Sequence, residues 1–229
     1  MTSKVQVKKF NENYFLNIQN FLPEEIIEGL LESCDELITK IKKDPTIEVF
    51  PPEATLNILN EVKDQYVWDT LYDRVRSGIV QYCKLSNLNH KYINFHSSWV
   101  TRYNGLPIDD PFAKNKIDTF TPYKNLHNHD NNPIGVIIYL KNPDPKYGTM
   151  VKVSDKQIYM HQGVENTALI YDARLYHSAI YPPLNVVEKY PRYTIVVDTS
   201  MKQTYNSTIP SGSSSEFDPS PTAIPNQVL

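Results

Sequence analysis

The sequence predicts an α+β fold in which helical segments come first and an antiparallel β-barrel or sandwich follows. Three observations carry that prediction. Apolar residues recur at three- and four-residue steps before about residue 85, the period shortens to two after residue 90, and Asn, Asp, Gly and Pro clusters separate the later extended runs. The chain has 229 residues, 40% of them hydrophobic, which suits one domain with a sizeable core. That domain is expected over residues 1–201, with supporting helices at about 14–85, followed by a tail at 202–229.

The first helix is read from NFLPEEIIEGLLESCDELITKIKK, where Ile26, Ile27, Leu30, Leu31, Cys34, Leu37, Ile38 and Ile41 share one face. Pro23 suits a first helical position, Glu24 and Glu25 favour the positive N-terminal end, and lysines close the other. A second helical region is expected from about Glu53 to Cys83, where Leu71, Val75 and Ile79 recur every four residues and Gly78 weakens the pattern. Both helices read as scaffold, because apolar helical stripes ordinarily face a core.

The extended period begins in YINFHSSWVTRYNG. Alternation there sets Ile93, Phe95, Ser97, Trp99, Thr101 and Tyr103 on one strand face, with Asn94, His96, Ser98 and Arg102 on the other, so Tyr103 points inward. Further strands are expected at Ile134–Leu140, Thr149–Ser154, Gln157–Met160, Thr167–Tyr171 and Arg192–Thr199. The polar stretch between Tyr103 and His127 is too long for a tight connection, and its part 106–122 is a candidate lid. From about Lys202 the chain is rich in Ser, Pro and Asn and cannot bury enough apolar surface to order a core of its own.

The formal charge of −3 gives no electrostatic reason to expect a nucleic acid or an anionic membrane as partner. No window approaches the ~20 apolar residues of a membrane span, and MTSKVQVKKF lacks the apolar run of a signal peptide. Cys34 and Cys83 are expected as free thiols in a reducing compartment, with Cys34 on the buried helical face. A cytoplasmic protein is expected.

Chemistry concentrates in NLHNHDNNPIGVIIYL. Side chains at i and i+2 of an extended segment point the same way, so His127 and His129 converge while Asn128 and Asp130 face away. A third histidine, His177, stands after a later strand in LIYDARLYHSAIYPP. Beyond it Arg192 and Thr194 share a strand face, placing a guanidinium beside a hydroxyl in a fork suited to a carboxylate. His161, beside a glycine turn in YMHQG, reads as a surface histidine, and His90 and His96 carry no motif. Asp172 reads either as the acceptor that orients a ligand histidine or as an ordinary turn residue.

Taken in order, these pieces resemble the Fe(II)- and 2-oxoglutarate-dependent dioxygenases, whose core is a double-stranded β-helix or jelly roll. The resemblance runs over roughly residues 14–200. YFLNIQNFLPEEIIEGLL is similar to the helix preceding the core in prolyl-hydroxylase-like members, VTRYNG to their strand ending in R-Y-x-G, and LHNHDN followed by IIYLKNP to their H-x-D strand. Gly148 and Thr149 fall where a Gly-rich hairpin follows, LIYDARLYHSAIYP carries the distal histidine, and RYT occupies the place of the R-x-S/T pair. The H-x-H spelling is most similar to phage-type members.

The resemblance implies that His127 and His177 are iron ligands and that Arg192, Thr194 and Tyr103 hold the distal carboxylate of 2-oxoglutarate. It implies Fe(II), 2-oxoglutarate and O₂ as cofactor and cosubstrates, and hydroxylation of a protein or small-molecule substrate with release of succinate and CO₂. If a phage encodes the chain, the compartment is the host cytoplasm. The departure is at the third ligand, where the family has a carboxylate and this chain has His129, followed by Asp130. Three readings stay open: an all-histidine face of His127, His129 and His177; a bulge that brings Asp130 in with His127 and His177; or a degenerate site. Two other functions stand beside the first. One is a three-histidine, cupin-type iron dioxygenase that needs no 2-oxoglutarate, and the other is a non-catalytic jelly-roll module.

Overall fold

The computed structural model describes residues 3–43, 53–57, 64–103 and 126–201. The expected lid at 106–122 and the tail at 202–229 lie outside the described residues. The chain opens with a hairpin that the sequence reading missed. β1 (Lys4–Phe10) pairs antiparallel with β2 (Asn13–Gln19), and Asn11 turns the corner at φ 54°, a left-handed conformation asparagine tolerates. Residues 14–19 are therefore strand rather than the entry to a helix. Their period is two: Leu16 and Ile18 enter one core and Phe15 the other.

α1 (Glu24–Lys43) follows, with Ile26, Leu30 and Cys34 buried. The helical region expected from Glu53 divides in two. β3 (Glu53–Asn57) is an edge strand paired with β4 (Ile93–Tyr103), and the helix α2 occupies Gln65–Ser86. The four-residue recurrence begins only at Val67, and Asp64 caps the helix there, its carboxylate accepting from Tyr66 N and Val67 N. Gly78 weakens the helix locally but serves its packing, since a Cβ there would stand 2.5 Å from Ile170 Cδ1. Asn87 ends α2 in the left-handed region at φ 56°.

The remaining strands are β4 (Ile93–Tyr103), β5 (Gly135–Lys141), β6 (Thr149–Ser154), β7 (Gln157–His161), β8 (Thr167–Tyr171), β9 (His177–Ala179) and β10 (Arg192–Met201). They form two antiparallel sheets, one of seven strands in the order β1-β2-β8-β5-β10-β4-β3 and one of three in the order β7-β6-β9. The centre of the large sheet, β8-β5-β10, is buried on both faces. Val136, Ile138, Leu140, Ile170, Ile195 and Val197 pack with the helices, whereas Ile137, Tyr139, Leu169 and Tyr171 pack towards β6 and β7. That explains why GVIIYLK and TALIY read as unbroken apolar runs rather than as alternating ones. Each buried Val, Ile or Leu contributes about 1.5–3 kcal/mol. The fold is α+β, as the sequence predicts.

One expected strand face is broken. Between β4 and β10 the register slips, Asp198 opposing Ser97 and Thr199 opposing Phe95, so His96 is the extra residue of a bulge. Ile93 and Phe95 accordingly pack with Val100 on the helix side, while Thr101 and Tyr103 line the cavity between the sheets. Tyr103 keeps its inward direction, but it does not share a face with Ile93. Both cysteines are free and buried. No helix among the described residues is long and apolar enough to cross a membrane.

Candidate metal centre

Three histidines meet at the mouth of this cavity. His127 and His177 form a two-residue antiparallel bridge, His127 N donating to His177 O at 3.1 Å and His177 N to His127 O at 2.7 Å. His129 N donates to Ala173 O at 3.0 Å, which keeps the 127–129 segment extended beside the strand that carries His177. Alternation then points both side chains the same way. The ring centroids lie 4.5 Å apart for His127 and His177 and 5.1 Å for each of the other pairs, with one ligand nitrogen per ring inside a 4.8 Å span. Such a set suits a divalent first-row metal, because imidazole serves Fe, Ni, Cu and Zn alike.

For two of the three rings the donor atom can be assigned from the second nitrogen. His177 Nδ1 lies 2.8 Å from Leu175 O, an acceptor for its N–H, so Nε2 is the ligand atom. Burial lowers the His177 pKa to about 4, with smaller effects of the same sign from His127 and His129, so its ring is neutral at pH 7. His129 Nδ1 lies 2.7 Å from Asp198 Oδ2, which again leaves Nε2 for a metal. Asp130 stands apart in an exposed turn, where its carboxylate accepts from Asn128 Nδ2. Asp172 does not orient His177. Its carboxylate is held by Arg174 through Nε at 2.8 Å and Nη2 at 2.7 Å, and the Leu175 carbonyl is the acceptor at His177 Nδ1 instead. His161 is buried rather than exposed, since it lies inside the hairpin that packs on Gly148.

Deeper in the same cavity of about 310 Å³ lie Arg192, Thr194 and Tyr103. Arg192 is fully buried. Its Nε donates to Tyr147 O at 3.0 Å and its Nη2 to Gly148 O at 3.3 Å, while the Tyr103 ring covers the guanidinium at 3.8 Å. Nη1 is left without a hydrogen-bond partner, and so is the Thr194 hydroxyl. No carboxylate is in ion-pair contact with Arg192 among the described residues. A buried cation that meets carbonyls and an aromatic face, beside a hydroxyl without a hydrogen-bond partner, has the capacity to accept an anion. Tyr139 lies behind this lining, its ring 5.7 Å from the Arg192 guanidinium and its hydroxyl 2.6 Å from Oγ1 of Thr149, which borders the cavity; burial pushes its pKa well up.

Six of the seven residues singled out as iron or 2-oxoglutarate contacts thus border one cavity: Tyr103, His127, His129, His177, Arg192 and Thr194; Asp130, the alternative third ligand, is not among its lining residues. The residue that sequence reasoning missed is Asp198. A signal for it existed, because the alternation that pairs Arg192 with Thr194 continues through Val196 to Asp198 on the same face.

No protein-family model matches the sequence, and no curated protein sequence matches it. Solved structures do match. A prolyl hydroxylase from Trichoplax adhaerens, in complex with a hypoxia-inducible-factor peptide fragment, superposes with a TM-score of 0.52 at 16% identity, covering 82% of this chain and 83% of its own. AviO1 from Streptomyces viridochromogenes gives 0.55 at 13% identity over 82% and 90%. HygX from Streptomyces hygroscopicus, with nickel and 2-oxoglutarate bound, gives 0.51 at 12% identity over 82% and 83%. At these identities the likeness is one of fold, the double-stranded β-helix with its preceding helices.

Proposed function

We propose that the chain is an Fe(II)- and 2-oxoglutarate-dependent dioxygenase that hydroxylates a C–H bond of a protein or small-molecule substrate. The observation that carries this reading is the pairing, in one cavity, of a three-histidine cluster with a buried arginine whose Nη1 has no acceptor. A metal-only site would have no use for that arginine. The fold neighbour that holds nickel and 2-oxoglutarate together supports the same pairing.

In this reading Nε2 of His129 and of His177, with a ring nitrogen of His127, hold the metal on one side and leave its other positions to the cosubstrates. Arg192 Nη1 and Thr194 Oγ1 bind the distal carboxylate of 2-oxoglutarate, and the Tyr103 ring keeps the guanidinium plane fixed for a two-point contact. Ile137, Tyr171 and Val196 line the walls and exclude water. Bound Fe(II) would supply the redox chemistry, in which O₂ and 2-oxoglutarate give succinate and CO₂ while one oxygen atom enters the substrate C–H bond. Charges balance as well. A divalent metal and the Arg192 cation together offset the two carboxylates of 2-oxoglutarate and the buried Asp198 carboxylate.

The test is addition of Fe(II) and 2-oxoglutarate under anoxia. The visible absorption band of the chelate is expected, followed by succinate formation once air is admitted. Absence of both would overturn the reading. The third histidine favours a second reading, a three-histidine iron dioxygenase that binds its organic substrate directly. That enzyme would bind Fe(II) yet give neither the band nor succinate. A non-catalytic module would bind neither.

A further inference from the structure

We infer that Asp198 is a positioning residue of the metal centre, holding His129 with Nε2 towards the metal and supplying the negative charge that a directly bound carboxylate would bring. This rests on the metal-binding part of the reading above and not on 2-oxoglutarate.

Four observations lead to it. Asp198 is only 4% exposed, in the centre of the large sheet, which is buried on both faces, where an uncompensated carboxylate is costly. Its partner is His129 Nδ1, 2.7 Å from Oδ2, and no Lys or Arg is in ion-pair contact with it among the described residues. Its position is held by the backbone, since β10 pairs Asp198 with Gly135 on one side and with Ser97 on the other, next to the β4–β10 bulge. Finally, of the histidines in the cluster it is His129 with which it shares a hydrogen bond, its charge reaching His177 only through space. His177 Nδ1 meets a neutral carbonyl, whereas His129, at the place where the resemblance leads one to expect a carboxylate ligand, meets a charged group.

The chemistry follows from charge and tautomer. With Nδ1–H donated to a carboxylate, His129 presents its Nε2 lone pair and becomes a stronger donor. A dication held by three neutral imidazoles is one unit more positive than one held by two imidazoles and a carboxylate. Asp198 removes that excess from one imidazole further out. The site thereby has the net charge of a two-histidine, one-carboxylate centre with the carboxylate moved behind a ligand.

The experiment compares Co(II) binding, by its visible d–d absorption and by calorimetry, in the full chain and in three variants: Asp198→Asn, His129→Asp and the double variant. Asp198→Asn alone is expected to raise the Co(II) Kd by 10–100-fold and to shift the band. In the His129→Asp background, where the carboxylate is already a ligand, the same change is expected to leave affinity unchanged or to improve it, by relieving two crowded carboxylates. Wild-type affinity in Asp198→Asn, or an equal loss in both backgrounds, would overturn the inference and leave the metal centre standing. If Asp198→Asn does not fold alone, the comparison within the His129→Asp background decides, and a tenfold loss there overturns it. No Co(II) binding by the wild type would remove the metal reading itself, and this inference with it.

Discussion

The Arg192 guanidinium lies 3.8 Å from the centroid of the Tyr103 ring, and the two residues are direct partners across the antiparallel pair of β10 and β4. Cross-strand pairing therefore fixes the guanidinium plane before any ligand arrives. Two of its nitrogens are committed to the Tyr147 and Gly148 carbonyls, so the anion-binding capacity is concentrated on Nη1.

Replacing that plane by a point charge should be costly. In Arg192→Lys the ammonium keeps the charge but cannot hold two carbonyls, stack on Tyr103 and meet a carboxylate at once. The Kd for 2-oxoglutarate is expected to rise by about 10–100-fold, equivalent to roughly 1.4–2.8 kcal/mol, with metal affinity unaltered. Titration of the visible band at fixed Fe(II) measures the first quantity, and calorimetry with Co(II) the second.

Thr194→Val should separate stability from binding. The hydroxyl is buried with no partner in the free protein, so an isosteric methyl removes an unsatisfied polar atom. Unliganded stability is expected to stay level or rise by about 1 kcal/mol, while 2-oxoglutarate affinity falls by roughly 1 kcal/mol. Urea unfolding and ligand titration of the same preparation would show the opposite signs. A parallel fall in both would mean that the hydroxyl has a structural partner instead.

The third ligand is decided by two alanine variants. His129→Ala is expected to weaken metal binding by at least tenfold, because its ring is one of the three that converge. Asp130→Ala should leave it within about twofold, since that carboxylate lies in an exposed turn bonded to Asn128. Loss confined to Asp130→Ala would restore the carboxylate reading.

How much of this was legible in the sequence depends on what fixed each residue. Among the described residues, periodicity locates six of the ten strands and both long helices, because their side chains answer to one core or two. Histidine spacing brought out His127, His129 and His177, since side-chain direction along an extended segment is a local property. Four things escaped. β9 has three residues, too few to show a period of two. β1 carries mostly exposed side chains and has no apolar signature, while the apolar residues of β2, Phe15, Leu16 and Ile18, run on almost directly into those of α1. β3 is a short edge strand without a marked pattern of its own. The bulge at His96 reverses the expected faces of Ile93 and Phe95, and its register is set by β10, a hundred residues away in sequence. Asp198 fell between the two cases, on a face that had been read only as far as Thr194.

Gly148 tests the support of the arginine. A Cβ at this position would stand 1.8 Å from the His161 carbonyl oxygen, with Gly163 N also within 2.7 Å, all backbone atoms that cannot swing aside. Gly148→Ala must therefore displace the strand that offers the Gly148 carbonyl to Arg192 Nη2. A loss of about 3 kcal/mol or more in unfolding free energy is expected. 2-Oxoglutarate affinity should fall in whatever fraction stays folded. Gly163→Ala differs, because the contacts it would make are with the Asn142 and Tyr139 side chains, so a smaller loss is expected there.

His161 gives the fold a pH dependence that is separable from the metal centre. It is 4% exposed, with Nδ1 3.1 Å from the Tyr159 hydroxyl and Nε2 unpartnered, and burial lowers its pKa to about 4, with Lys8 acting in the same direction. The unfolded chain binds this proton near the ordinary histidine value of about 6.5, so between there and about 4 the unfolded state carries more protons than the folded one. The stabilisation is thus fully present above about pH 6.5 and is lost as pH falls towards 4, by roughly 3 kcal/mol over the window. His177 contributes a change of the same sign in the metal-free protein. Denaturant unfolding of metal-free protein at intervals from pH 7.5 to 4.5 should therefore give a steep fall for the wild type and a shallower one for His161→Gln, in which the His161 contribution is gone and that of His177 remains. Parallel profiles would show that His161 is protonated equally in both states, and that its burial carries no electrostatic cost.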